Sequence, residues 1–194
     1  MSHTIYTASP SSLKIEIREV LRYLGVKEPN EELLSRIYDC IEAARRVIMP
    51  KAVYLKLPLL IEDSTVALGT LRMESKNLAK FLQGSNEAYI FVATLGLSAD
   101  REVNKYLKVE PSKGVIMNAV MIAYIEALCD RLNGFLLGED TSGKRFSPGY
   151  GDLALEHQRE VLQLLDAERR VGITLTDSYL MVPTKSVSAI VGIK

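Results

Sequence analysis

The sequence predicts an α+β fold with a twisted, largely antiparallel sheet and flanking helices. Three observations carry that expectation. Helical and strand patterns mix without the regular βαβ alternation of a parallel sheet. One apolar run, Tyr89 to Leu95, is rich in aromatic and β-branched residues and reads as a central strand. The composition, 47 % hydrophobic and 25 % charged over 194 residues, is that of an ordinary globular chain. With no internal repeat or flexible linker, the expected organisation is one domain over 1–194, with a helical hairpin at about 11–49.

The first helix is expected after Ser11 or Ser12, because Leu13, Ile17, Val20, Leu21 and Leu24 recur at helical spacing and Gly25 follows as a left-handed cap. Asn30 caps a second helix. Glu31 and Glu32 suit its positive first turn, Leu33, Leu34, Ile37, Ile41 and Ala44 form its apolar stripe, and Pro50 stops it. From Ala52 to Leu71 the pattern shortens to alternating runs, Val53-Leu55-Leu57 and Val66-Leu68-Thr70, around a polar Glu62-Asp63-Ser64 turn. Ser75 to Leu82 reads as a short helix closed by Gly84, and Ser98 to about Leu107 as another. Pro111 opens the longest helix, expected to end near Leu132. Asp152 is expected to cap a further helix carrying Leu155, Val161, Leu162 and Leu165, which Gly172 closes. Tyr179–Val182 and Ser186–Ile193 then form a terminal hairpin around Pro183-Thr184-Lys185.

Composition also removes function classes. Lysine and arginine total 24 against 24 acidic residues, so the chain lacks the basic excess that phosphate neutralisation favours, and nucleic acid is not an expected partner. The start Met-Ser-His-Thr-Ile-Tyr-Thr has no signal-peptide layout. The most apolar stretch, Val115–Cys129, is too short to span a bilayer and carries Asn118 and Glu126. No membrane association and a cytoplasmic location are the expectations. Cys40 and Cys129 lie in apolar helical patterns and read as small buried hydrophobes. With only His3 and His157 besides, no cluster has metal-ligand spacing. Phosphate-loop, dinucleotide-fingerprint and nucleophile-elbow motifs are all missing.

Two features stand out. Gly143-Lys144-Arg145-Phe146-Ser147-Pro148-Gly149-Tyr150-Gly151-Asp152 joins backbone freedom to a guanidinium that can fork a carboxylate and to the flat face of Tyr150. An ordinary surface loop with a solvated arginine is the alternative. Glu126 falls among Ala119, Ile122, Ala123 and Cys129, on the apolar face of the long helix. A carboxylate there needs a compensating charge, which a basic side chain of the chain or a cationic ligand could supply. Glu139 precedes the arginine in a polar loop and reads as solvated.

Arg145-x-x-x-Gly149-Tyr150, followed by Leu175-Thr176-Asp177-Ser178-Tyr179-Leu180-Met181-Val182-Pro183 and Ser186-Val187-Ser188, resembles the activation domain of cobalamin-dependent methionine synthase. Phe91-Val92-Ala93-Thr94-Leu95-Gly96 and Ile125-Glu126-Ala127 extend the likeness. The resemblance implies an S-adenosylmethionine site made by Glu126, Glu139, Arg145, Phe146, Ser147, Gly149 and Tyr150, with no catalytic residue and no metal. It implies a free-standing reactivation subunit of a split enzyme, supporting reductive methylation of inactive cobalamin held by a partner subunit. A reductant such as flavodoxin or ferredoxin would serve as second partner. A non-catalytic S-adenosylmethionine-sensing or scaffold module for a corrinoid protein is the alternative. The chain departs from the larger enzymes at Phe146-Ser147, where they have Pro-Ala, and at Val182 and Thr184, where they have Trp and Gly.

Overall fold

The computed structural model describes residues 3–138 and 144–193. Its elements run in the order β1 (Thr4–Thr7), α1 (Ile17–Leu24), α2 (Glu31–Val47), β2 (Lys51–Glu62), β3 (Thr65–Leu68), β4 (Leu71–Glu74), α3 (Lys76–Phe81), β5 (Glu87–Thr94), α4 (Leu97–Val109), α5 (Pro111–Leu137), α6 (His157–Leu164), α7 (Ala167–Val171), β6 (Thr174–Leu175), β7 (Met181–Val182) and β8 (Ser186–Ile193). The main sheet has the order β4-β3-β2-β5-β8, with β1 also on β2, and every pairing is antiparallel. The α+β class predicted from the sequence is the one observed.

The central strand is β5, which pairs along its length with β2 on one side and β8 on the other. Its apolar run follows from burial on both faces. Phe91 and Ala93 enter a core beneath α1, α2, α4 and α5, while Ala88, Ile90 and Val92 enter a second core with α3, α6 and α7. β2 is one strand of 12 residues rather than separate short runs. Along one edge it meets β1 at Thr4↔Tyr54 and β3 at Glu62↔Thr65. Pro58 is tolerated because it lies at the last β2–β5 pair.

Local chemistry explains several boundaries. The Asn30 side chain accepts from Leu33 N at 2.8 Å, and Ser75 caps α3 through Leu78 N at 2.9 Å. Gly25 and Gly172 adopt left-handed conformations at helix ends. The first helix starts later than its apolar spacing suggests. Pro10–Ser12 form a separate single turn that ends at extended Leu13, so Leu13 reaches the core from outside the helix. α1 and α2 each pack chiefly against α5, so the expected hairpin is two covers on one long helix. α5 passes Leu132 and runs to Leu137, through Gly134, before ending at positive-φ Gly138.

Two expected connections are different. Asp152 caps α3, not α6: its carboxylate accepts from Lys76 N at 2.9 Å and Asn77 N at 3.2 Å and bonds the Ser75 hydroxyl. The Ser75 hydrogen bond, with the two amides, holds the Asp152 carboxyl below its usual range. The terminal hairpin does not form either. β7 pairs with β6, whereas β8 pairs with β5, because β8 carries Ala189, Ile190 and Val191 and needs burial on both faces.

Two glycines of α5 should respond to alanine with opposite signs. A Cβ at Gly114 would sit 2.6 Å from Leu107 N and 2.8 Å from its Cα, backbone that cannot yield. Overpacking of about 1–3 kcal/mol then outweighs the roughly 1 kcal/mol gained in helix propensity, so Gly114→Ala lowers the melting temperature. Gly134 has no such neighbour within 4 Å, so Gly134→Ala raises stability by about 0.5–1 kcal/mol. Thermal melts of the two variants check both signs.

Candidate functional site

The site begins with α5, whose 27 residues put Glu126 and Asp130 one turn apart on the same face. Arg145 reaches them from the extended segment that follows the helix. Phe146 fixes that segment on the free edge of β8, donating to Ile190 O at 3.0 Å and accepting from Ile190 N at 2.8 Å. Alternation along an extended chain then sends neighbouring side chains to opposite faces. Arg145 turns to α5, and Phe146 packs into the second core with its ring 5.5 Å from Phe81.

Arg145 Nη2 lies 2.5 Å from Glu126 Oε2, and Nη1 lies 2.6 Å from Asp130 Oδ1. The arginine side chain is 16 % exposed, against 42 % for Glu126 and 72 % for Asp130. Burial works against the guanidinium charge, yet the surrounding anionic groups more than offset it, and the arginine is held protonated. Cys129, directly beneath, is fully buried, and burial pushes its thiol up to about 12, so the two carboxylates supply the compensation at neutral pH. Burial likewise raises Cys40 to about 11. The expected deep burial of Glu126 is therefore corrected. Its carboxylate sits at the mouth of a cleft, and the charge that compensates it is Arg145.

That cleft has a volume of about 600 Å³, with Glu126, Ala127, Asp130 and Arg145 on one wall. The opposite wall is the segment Ser12–Tyr23, which the sequence reading did not connect with the site. Its charges are largely matched among themselves, Arg18 with Glu16 at 2.5 Å and Arg22 with Glu19 at 2.7 Å. Tyr23 faces Glu126 across the space: burial raises its phenol pKa, and the charge of Glu126 adds to the effect. Asp130 was legible as Glu126 plus one helical turn; the Ser12–Tyr23 wall had no local signal.

The remaining predicted residues fall elsewhere. Phe146, Ser147, Gly149 and Tyr150 do not line this cleft. Ser147 accepts from Tyr150 N at 3.0 Å, and Gly149, at φ 90°, donates to Leu153 O at 2.9 Å, which closes a tight turn. Tyr150 is 60 % exposed, with its ring 6.2 Å from that of Phe146. Glu139 lies outside the described residues. The second motif stretch holds the fold: buried Gln158 donates to Tyr179 O at 2.7 Å and accepts from the Ser188 hydroxyl at 2.9 Å, and Thr184 bonds Asp100 through both its amide and hydroxyl at 2.7 Å. Among the described residues there is no cluster suited to a metal ion, and no helix is long and apolar enough to cross a membrane.

Stability should separate the two carboxylates from their arginine. Arg145→Met leaves Glu126 and Asp130 facing each other without a counter-charge and should cost about 1–3 kcal/mol in denaturant unfolding. Glu126→Gln leaves Asp130 on the arginine and, being partly exposed, should cost less than about 1 kcal/mol. Equal losses would show that Glu126 alone carries the compensation.

Comparison with known proteins gives this geometry a context. No curated protein matches the sequence. A solved structure described as the MetH reactivation domain bound to AdoHcy superposes with a TM-score of 0.75 at 16 % identity, covering 99 % of this chain and 78 % of that one. At that identity the likeness is one of fold. Residues 74–193, which include the whole of α5 and the Arg145 segment, match the family model of the vitamin B12 dependent methionine synthase activation domain, and the chain belongs to that family.

Proposed function

We propose that the Glu126–Arg145–Asp130 cleft binds S-adenosylmethionine, and that the chain acts as the reactivation subunit of a split cobalamin-dependent methionine synthase. The observation that carries this reading is a single guanidinium set between two carboxylates at the mouth of a cleft in a member of the activation-domain family.

The charges suit the ligand. S-adenosylmethionine carries a carboxylate, an ammonium and a sulfonium. Arg145 offers parallel N–H donors to the first, and Glu126 offers a counter-charge to the other two. The cleft volume of about 600 Å³ lies within the range of roughly 300–1,000 Å³ typical of small-ligand sites. Phe146, Ser147, Gly149 and Tyr150, on the turn that follows Arg145, lie outside the cleft, so their proposed contacts, together with that of Glu139, are to the part of the ligand that extends beyond it. Cobalamin held by the partner supplies the methyl-accepting cobalt, with one electron from a reductant such as flavodoxin or ferredoxin. This chain's part is to bind the methyl donor, orient it and match its charges, which requires no nucleophile or general base.

Calorimetry tests the binding. Saturable S-adenosylmethionine binding is expected, and Arg145→Ala should weaken it about 10- to 100-fold, the loss of a charge-assisted contact worth about 1.5–3 kcal/mol. Arg145→Lys keeps a charge between the carboxylates, so it should recover most of the stability and only part of the affinity. Undiminished affinity in Arg145→Ala would remove Arg145 as the carboxylate clamp.

Reactivation is tested separately, with the cobalamin-bearing partner, a reductant and S-adenosylmethionine. Methylcobalamin should reappear in the visible spectrum only when all components are present. Tight binding with no reactivation would instead assign a sensing or scaffold module.

A further inference from the structure

The arrangement of Arg145 poses a problem for any ligand that presents a carboxylate. A guanidinium grips a carboxylate best through two parallel N–H groups. Here the two terminal nitrogens are divided, Nη2 at 2.5 Å from Glu126 and Nη1 at 2.6 Å from Asp130. An incoming carboxylate that docks end-on across the two terminal nitrogens competes with these partners for that fork. Asp130 is the more exposed, 72 % against 42 %, and on release its carboxylate is left with water. Glu126 is the more enclosed and lies towards Tyr23.

We propose that Asp130 is a latch: in the free protein its carboxylate occupies the position on Arg145 that the ligand's carboxylate takes, so binding proceeds by exchange of one carboxylate for another. The inference rests on the reading of the cleft as an S-adenosylmethionine site and adds a determinant of selectivity. Only a ligand that brings its own carboxylate can replace Asp130 without leaving Arg145 short of a partner. A nucleoside without the amino-acid moiety cannot open the latch. Asp130 thus lowers affinity for every carboxylate-bearing ligand by the strength of one exposed ion pair.

S-adenosylhomocysteine, neutral overall, is the suitable probe, because a change of field in the cleft acts little on a ligand with no net charge. Its affinity for the parent and for Asp130→Asn is measured by calorimetry, alongside 5′-methylthioadenosine, which lacks the amino-acid carboxylate. Asp130 is exposed on its helix, and Asp130→Ala serves as a second variant. The latch predicts that both variants bind S-adenosylhomocysteine about 2- to 5-fold more tightly, the range of an exposed ion pair, with methylthioadenosine affinity unchanged. Unchanged S-adenosylhomocysteine affinity overturns the latch. Weakened affinity also overturns it and places Asp130 on the ligand's ammonium. If neither parent nor variants bind S-adenosylhomocysteine, the reading of the cleft fails, and the latch with it. Binding to the parent that is lost in Arg145→Ala but unaltered in the Asp130 variants leaves that reading standing and removes only the latch.

Discussion

Burial of α5 is the constraint on which the other elements depend. The helix contributes Ile116, Met117, Val120, Met121, Tyr124, Leu128 and Leu132 to the core beneath the sheet, and α1, α2 and α4 all pack against it. A helix apolar around most of its surface cannot face water, so the N-terminal helices and the sheet must close on it from different sides. One face left open carries Glu126 and Asp130. Polar residues there leave a gap between α5 and the Ser12–Tyr23 segment, and that gap is the cleft. The site is therefore a stretch of the long helix that its own polar residues keep from being covered.

The Arg145 segment shows how the sheet completes the site. Phe146 exchanges two backbone hydrogen bonds with Ile190 and buries its ring in the second core. Those contacts hold the preceding residue against the opposite core by alternation alone. Asp152 acts from a distance in the same segment. By accepting from Ser75, Lys76 and Asn77, it ties the end of the Gly-Tyr-Gly turn to the start of α3. Phe146 and Asp152 both anchor the segment on the α3 side of the sheet, and alternation sends the Arg145 side chain alone to the α5 side. This explains why the turn residues do not share the cleft with Arg145, although they stand next to it in sequence.

Those anchors also explain which parts of the structure were legible in the sequence. Asn30, Ser75, Gly25 and Gly172 mark helix ends through bonds or dihedrals confined to a few residues, so a local reading finds them. Tyr89–Leu95 shows its central position because burial on both faces leaves it without a charged residue, Thr94 near its end being its one small polar side chain. Asp152 was assigned to the wrong helix because it is an acceptor whose donors lie 75 or more residues earlier, and nothing in its own neighbourhood marks that choice. Met181–Val182 and Ser186–Ile193 look like a hairpin for the same reason: spacing gives strand and turn, while the partner is set by which edges of the sheet remain open. For the site, the sequence identified Arg145 and Glu126 separately. Their pairing, the part played by Asp130 and the N-terminal wall all depend on contacts across 15 or more residues.

The charge arrangement bears on how a protein with no nucleophile or base can be selective. An arginine beside one carboxylate forms a neutral pair with little reason to bind anything more. An arginine between two carboxylates leaves that triad one negative charge in excess, a local place for a cationic group beside the ligand's carboxylate, while Lys14 and Arg131 make the cleft lining as a whole slightly positive. Partial burial of the guanidinium strengthens its preference for a well-matched anion, and the exposure of the carboxylates keeps the cost of rearranging them low. The matched pairs on the facing wall, Arg18 with Glu16 and Arg22 with Glu19, add little net field of their own. Discrimination then rests with three side chains, two of them one helical turn apart on α5 and the third held across from them by the edge of the sheet.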